Sequence, residues 1–133
     1  MSGHYHAIVW IDHHEARIFH FNREEADRLV LHPREPTPHI HHKAGVTGSG
    51  HASEDQDFLH QVAASMRGAA AVLITGPANE KHELVKHIGR HDPDLAPVIF
   101  GVETVDHPSD GNLVAYARAY FKRADRMHPD LAR

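Results

Sequence analysis

Ala69-Ala70-Ala71-Val72-Leu73-Ile74-Thr75-Gly76-Pro77 is the stretch that decides the fold. Ala69 to Thr75 is a continuous apolar run of strand length, the pattern of a strand covered on both sides. Gly76-Pro77 then turns the chain into a helix over about Asn79 to Arg90 that buries Leu84, Val85 and Ile88, and Asp92-Pro93 stops it. Downstream, Val98 to Val105 reads as a further strand. Asp106-His107-Pro108-Ser109 leads into a last helix, where Leu113, Tyr116, Ala117, Tyr120, Phe121 and Ala124 form one apolar stripe.

Upstream of the deciding run, Ser53 reads as an N-cap, with Glu54, Asp55 and Asp57 in a first turn where acids suit the helix dipole. The helix it starts carries Phe58, Leu59, Val62, Ala63 and Met66 on one face and ends near Gly68. Further back, His4 to Ile11, Ala16 to Phe21 and Asp27 to His32 are strand segments. The short polar breaks Asp12–Glu15 and Asn22–Ala26 separate them, which predicts an antiparallel meander. The order is β-β-β-α-β-α-β-α. Strand–helix–strand units favour right-handed parallel crossovers. The expectation is therefore an α/β, ribonuclease-H-like mixed five-stranded sheet. In it the strand at Val72 pairs parallel with the strand at Val9, and all three helices pack on the faces.

Composition bounds the rest. A chain of 133 residues fits one domain, and 41 % hydrophobic with 24 % charged residues is a globular balance. No run approaches the roughly 18 apolar residues that span a bilayer. The start, Met1-Ser2-Gly3-His4-Tyr5-His6, has no apolar signal-peptide core, so a cytoplasmic protein without a membrane partner is expected. Without cysteine there is no disulfide, thiolate zinc site or Cys nucleophile. Histidine is the anomaly: 16 residues against 14 Lys and Arg, in a chain of net charge −4. A free imidazole titrates near pH 6.5, where half of them protonated would add roughly eight positive charges. Oligomeric state is left open.

Pro33 to Gly50 is the one long irregular segment, with Pro33, Pro36, Pro38, Gly45, Gly48 and Gly50 among His39, His41 and His42. Its His39-Ile40-His41-His42-Lys43 tract admits three readings. Lys43 and protonated imidazoles suit RNA phosphates, with imidazole faces for stacking. Neutral imidazoles suit a transition metal. The third reading is a solvated loop. His4 and His6 share one face of the first strand, either as metal ligands with a loop histidine or as caps on a half-exposed face. Asp12 sits where ribonuclease-H-like nucleases place a metal-binding acid, with Glu54, Asp55, Asp57, Asp106 or Asp110 as partners. The deciding strand, however, ends in Thr75-Gly76-Pro77 with no acid, and Asp12 reads better as the residue closing the first hairpin. Gly76-Pro77-Ala78-Asn79-Glu80-Lys81 reads as a tight turn and cap rather than an anion site, since it lacks P-loop spacing.

Val9-Trp10-Ile11-Asp12-His13-His14-Glu15-Ala16-Arg17-Ile18-Phe19 resembles the opening hairpin of the middle domain of the archaeo-eukaryotic release factor and Pelota family. Val72-Leu73-Ile74-Thr75-Gly76-Pro77 with Glu80-Lys81 resembles the later strand–Gly–helix segment of that domain. Gly101-Val102-Glu103-Thr104-Val105-Asp106-His107 and the closing helix complete the match. The chain looks closest to short stand-alone bacterial members described as translational machinery proteins, with residues 1–133 as one such domain. In the release factors, the loop before the first helix carries Gly-Gly-Gln, which promotes peptidyl-tRNA hydrolysis. Here that place holds Lys43-Ala44-Gly45-Val46-Thr47-Gly48-Ser49-Gly50-His51, with His51 roughly where the glutamine falls and no Gly-Gly-Gln. The resemblance implies a ribosome- or RNA-associated translation factor without peptide-release activity. It would contact the ribosome or structured RNA through His39, His41, His42, Lys43, Gly48, Gly50 and His51, with other translation factors as further partners. No cofactor, catalytic residue or metal ligand is expected. The other function classes are a hydrolase acting on peptidyl-tRNA or RNA, and a His-rich metal-binding protein.

Overall fold

A computed structural model of the chain describes residues 6–33 and 47–127, with 47–55 and 125–127 described by their backbone alone. Strands β1 (His6–Ile11), β2 (Ala16–Phe21) and β3 (Ala26–Leu31) are followed by helix α1 (Thr47–Ser65) and strand β4 (Ala71–Gly76). Helix α2 (Glu80–His91), a 3-10 helix (Pro93–Val98), strand β5 (Ile99–Thr104) and helix α3 (Asp110–Met127) complete the order. The sheet runs β3-β2-β1-β4-β5. β1 pairs antiparallel with β2, and β2 with β3; β1 pairs parallel with β4, and β4 with β5. Val9 lies opposite Ile74, the parallel pairing expected from the change from clustered strands to alternating helix and strand. This is the mixed, ribonuclease-H-like sheet.

Alternation along the central strands divides the core in two, because successive side chains leave a strand on opposite faces. Ala7, Val9 and Ile11 of β1, with Val72 and Ile74 of β4, meet Phe58, Leu59, Val62, Ala63 and Met66 of α1 and Leu84 and Ile88 of α2. Ile8 and Trp10, with Phe19, Phe21, Ala71 and Leu73, meet Leu113, Val114, Ala117 and Phe121 of α3 on the other face. Helices thus cover both faces, which is why β1 and β4 read as unbroken apolar runs. Thr75 closes β4 with its hydroxyl donating to the Val9 carbonyl at 2.8 Å, so the one polar residue of that run is satisfied in the core. β3 is an exposed edge, and its Asp27 and Arg28 discourage pairing with a further strand.

Several boundaries differ from the sequence reading. α1 begins at Thr47 rather than at a Ser53 cap, so the acids after Ser53 lie inside the helix and not in its first turn. Gly48 and Gly50 suggested loop. A helix already nucleated adds a hydrogen bond with each residue, however, and an interior glycine costs only about 1 kcal/mol. The irregular segment assigned to Pro33–Gly50 therefore loses its last four residues to α1. Pro93 after Asp92 stops α2 but starts the 3-10 helix, where a proline in the first turn forfeits no hydrogen bond. β5 consequently starts at Ile99 and ends at Thr104, not Val98 to Val105, and β3 sits one residue earlier than Asp27–His32. No helix among the described residues is long and apolar enough to cross a membrane.

Candidate functional site

The carboxyl ends of β1, β4 and β5 share one edge of the sheet, where open α/β sheets carry their ligands. β3 ends at the same edge: Leu31 lies opposite Ala16, and Ala16 opposite Ile11. His32 comes next, its Nδ1 3.2 Å from the His14 carbonyl of the first hairpin turn. α1 runs the other way. Its last residue, Ser65, accepts from Nε2 of His20 at 2.7 Å, and His20 pairs with Ala7 near the amino end of β1. A helix of 19 residues, about 28 Å long at 1.5 Å per residue, starts at the carboxyl edge. Both flanks of the segment carrying the histidine tract therefore open at this edge. Gly48, Gly50 and His51 lie on the helical backbone where α1 begins. His39, His41, His42 and Lys43 lie outside the described residues, as do His4, Glu35 and the prolines Pro36 and Pro38.

The acids of the edge are committed to structure. Oδ1 of Asp12 accepts the backbone N–H groups of His14 and Glu15 at 2.8 and 2.9 Å, which closes the hairpin. Its Oδ2 faces Nε2 of His107 at 3.7 Å. Asp110 receives Nη1 of Arg17 and Nε of Arg28, each at 2.9 Å, tying β2 and β3 to the start of α3. Among the described residues, Asp12 joins no set of three ligand atoms close enough for one metal ion; the side chains of Glu54 and Asp55, two of its expected partners, lie outside them. At the turn after β4, Nζ of buried Lys81 donates back to the Ala78 carbonyl at 2.5 Å, and Glu80 meets Nδ1 of His13 at 3.3 Å. The lysine serves its own turn. His6 stacks on Phe121 with ring centroids 4.4 Å apart and so caps the α3 face.

Trp10 anchors the edge from below. It is fully buried and its indole N–H donates to the Asp106 carbonyl at 2.6 Å, with the Val105 carbonyl at 3.2 Å. The Arg17 guanidinium lies 4.6 Å from its ring centroid, a cation–π contact in a desolvated place. Arg17 also donates to the Pro108 carbonyl at 2.9 Å. One aromatic side chain thus joins β1, β2 and the β5–α3 connection. The sequence reading assigned Trp10 only to a buried strand; the indole N–H, which needs a partner when buried, was the available signal.

A second cluster lies away from this edge, between α1 and the far end of α2. His60, His87 and Asp92 place one ligand atom each within 4.8 Å of one another. Burial chiefly, then the charges of His91 and His60, lowers the pKa of His87, and Asp92 opposes the shift only in part. The sequence reading missed this group. Its trace is a histidine on the same apolar face as Leu84 and Ile88.

No protein-family model matches the chain, and no curated protein matches it. Solved structures match. The Pelota protein of Archaeoglobus fulgidus aligns with 89 % of this chain and 32 % of its own, with a TM-score of 0.60 at 11 % identity. The Pelota protein of Thermoplasma acidophilum aligns with 81 % of this chain and 30 % of its own, with a TM-score of 0.53 at 15 % identity. An archaeal translation termination factor, aRF1, aligns with 82 % of this chain and 32 % of its own, with a TM-score of 0.49 at 15 % identity. The chain spans about a third of the length of these proteins. Its mixed sheet and helices resemble the Pelota middle-domain fold.

Proposed function

We propose that this chain is a ribosome- or RNA-associated translation factor that works without peptide-release activity. Its contact surface is the segment bearing His39, His41, His42 and Lys43 together with Gly48, Gly50 and His51 at the start of α1. The observation that carries this reading is the placement of both flanks of that segment at the carboxyl edge of the sheet. The Pelota-like fold over most of the chain supports it. Lys43 and protonated imidazoles neutralise phosphates, and Gly48 and Gly50 let a backbone approach closely.

Affinity for ribosomes or structured RNA should rise as pH falls from about 8 to 6, because neutral imidazoles become phosphate-binding cations. If each of three new charges is worth about 0.5 kcal/mol, an exposed ion-pair value, the gain is roughly tenfold. Replacing His39, His41 and His42 by Gln keeps polarity and removes the titration. Binding is measured at both pH values with chelator present, wild type beside the triple variant. The variant should lose most of the pH dependence, and equal slopes would rule out the histidine tract as the contact.

A further inference from the structure

We propose that His60, His87 and Asp92 bind one divalent transition-metal ion of the zinc class. The site lies on the helical layer, and the ligands come from α1, α2 and the residue that ends α2. It lies away from the carboxyl edge.

Hydrogen bonding fixes which nitrogen of the buried imidazole donates. The His87 side chain is 4 % exposed and its Nδ1 lies 2.8 Å from Oε1 of Gln56. A carboxamide oxygen only accepts, so Nδ1 carries a proton, and when the ring is neutral Nε2 presents a bare lone pair. That Nε2 is buried and has no hydrogen-bond partner. It faces Oδ2 of Asp92 across 3.9 Å, and this oxygen is also buried without a hydrogen-bond partner. Two electron-pair donors side by side, each withdrawn from water, are unfavourable alone and favourable around a cation. His60 completes the set from the solvent side: its side chain is 65 % exposed, and its Nδ1 lies 3.9 Å from the same oxygen.

The spacing fits a small ion. Metal–ligand bonds of about 2.0–2.2 Å put neighbouring ligand atoms of a tetrahedral ion roughly 3.4 Å apart. His60 is exposed on its helix face and can close on the ion by a change of rotamer, while binding also requires Nε2 of His87 and Oδ2 of Asp92 to draw in from 3.9 Å. Two imidazoles and one carboxylate select zinc, cobalt, nickel or copper over magnesium and calcium, which take oxygen ligands. The surroundings match an outer shell: Gln56 orients His87, and Nη2 of Arg67 holds the other Asp92 oxygen at 3.2 Å while its Nη1 pairs with Asp94. His91, its ring 4.6 Å from that of His87, is the further imidazole facing the site.

Cobalt titration of the full chain tests this, because tetrahedral Co(II) absorbs in the visible and octahedral aqueous cobalt barely does. The wild type should develop that absorption with one equivalent of Co(II), and one equivalent of Zn(II) should abolish it. His60→Ala, at an exposed helix position, should weaken binding by more than about 100-fold, beyond the roughly 10–100-fold that an outer-shell change brings. His87→Gln should do the same if it folds. The triple replacement of His39, His41 and His42 by Gln should leave band and affinity intact. Unchanged binding in His60→Ala, or loss of the band in the triple variant, would overturn the assignment.

Discussion

Trp10→Ala should destabilise the protein by about 3–5 kcal/mol, the range for truncating a buried aromatic. The wild-type side chain is fully buried, donates to the Asp106 carbonyl and lies under the Arg17 guanidinium. Its loss leaves a cavity, an unpaired carbonyl and a cation without its aromatic face. For a domain of this size the change lowers the melting temperature by roughly 10–20 °C. Trp10→Phe separates the contributions. It retains most of the volume and drops the indole N–H, so about 1–2 kcal/mol should be lost. Chemical denaturation of the three proteins reads this directly, and a loss below about 1 kcal/mol in Trp10→Ala would mean that the indole does not hold the edge together.

Gly76→Ala should cost about 3 kcal/mol, the upper end of the range for overpacking. A Cβ at Gly76 would collide with the carbonyl oxygen of Ile11, at the carboxyl end of the parallel β1–β4 pair. The obstacle is backbone, so no rotamer relieves it, and the Gly76 carbonyl also accepts the Val105 N–H at 3.1 Å. Gly89→Ala is the opposite case. Nothing lies within 4 Å of a Cβ built there, and the position is inside α2. That substitution should stabilise by about 0.5–1 kcal/mol through helix propensity and a less flexible unfolded chain. Denaturation midpoints moving in opposite directions check the pair; a neutral Gly76→Ala would contradict the close approach of β1 to the β4 turn.

The parts of the fold that were legible are those where burial leaves a pattern. Val9 and Ile74 sit in unbroken apolar runs because helices cover both sides of β1 and β4, and the change from clustered strands to alternating helix and strand predicts their parallel pairing. Asp12 was legible as a turn closer, and its carboxylate does accept two free N–H groups of the hairpin. The start of α1 was not legible: Ser53 reads as a good cap, and Gly48 and Gly50 before it favour loop on local grounds alone. The 3-10 helix at Pro93 was hidden for a similar reason, since Asp-Pro marks the end of α2 and carries no signal for the element after it. The His60–His87–Asp92 cluster depends on how α1 lies beside α2, which no local pattern encodes. A histidine beside Leu84 and Ile88 marks burial, and only the three-dimensional arrangement supplies its neighbours.

Arg17 and Asp110 illustrate what the fold does for the proposed contact surface. Their ion pair, with Arg28 on the second Asp110 oxygen, locks the start of α3 against β2 and β3. The hairpin turn, the β4 turn and the β5–α3 connection lie along the same carboxyl edge of the sheet. The β3 flank of the segment with the histidine tract, at His32, lies beside the first hairpin turn.

Sedimentation of the full chain through a sucrose cushion with and without ribosomes, at about pH 6.5 and with chelator present, tests the proposed function directly. A ribosome-associated factor should pellet with ribosomes and stay in solution without them. Replacing His39, His41, His42 and Lys43 together by Gln should return it to the supernatant while leaving its thermal stability unchanged. A wild-type protein that remains in the supernatant at micromolar ribosome concentration, or a variant that pellets as well as the wild type, would contradict this function.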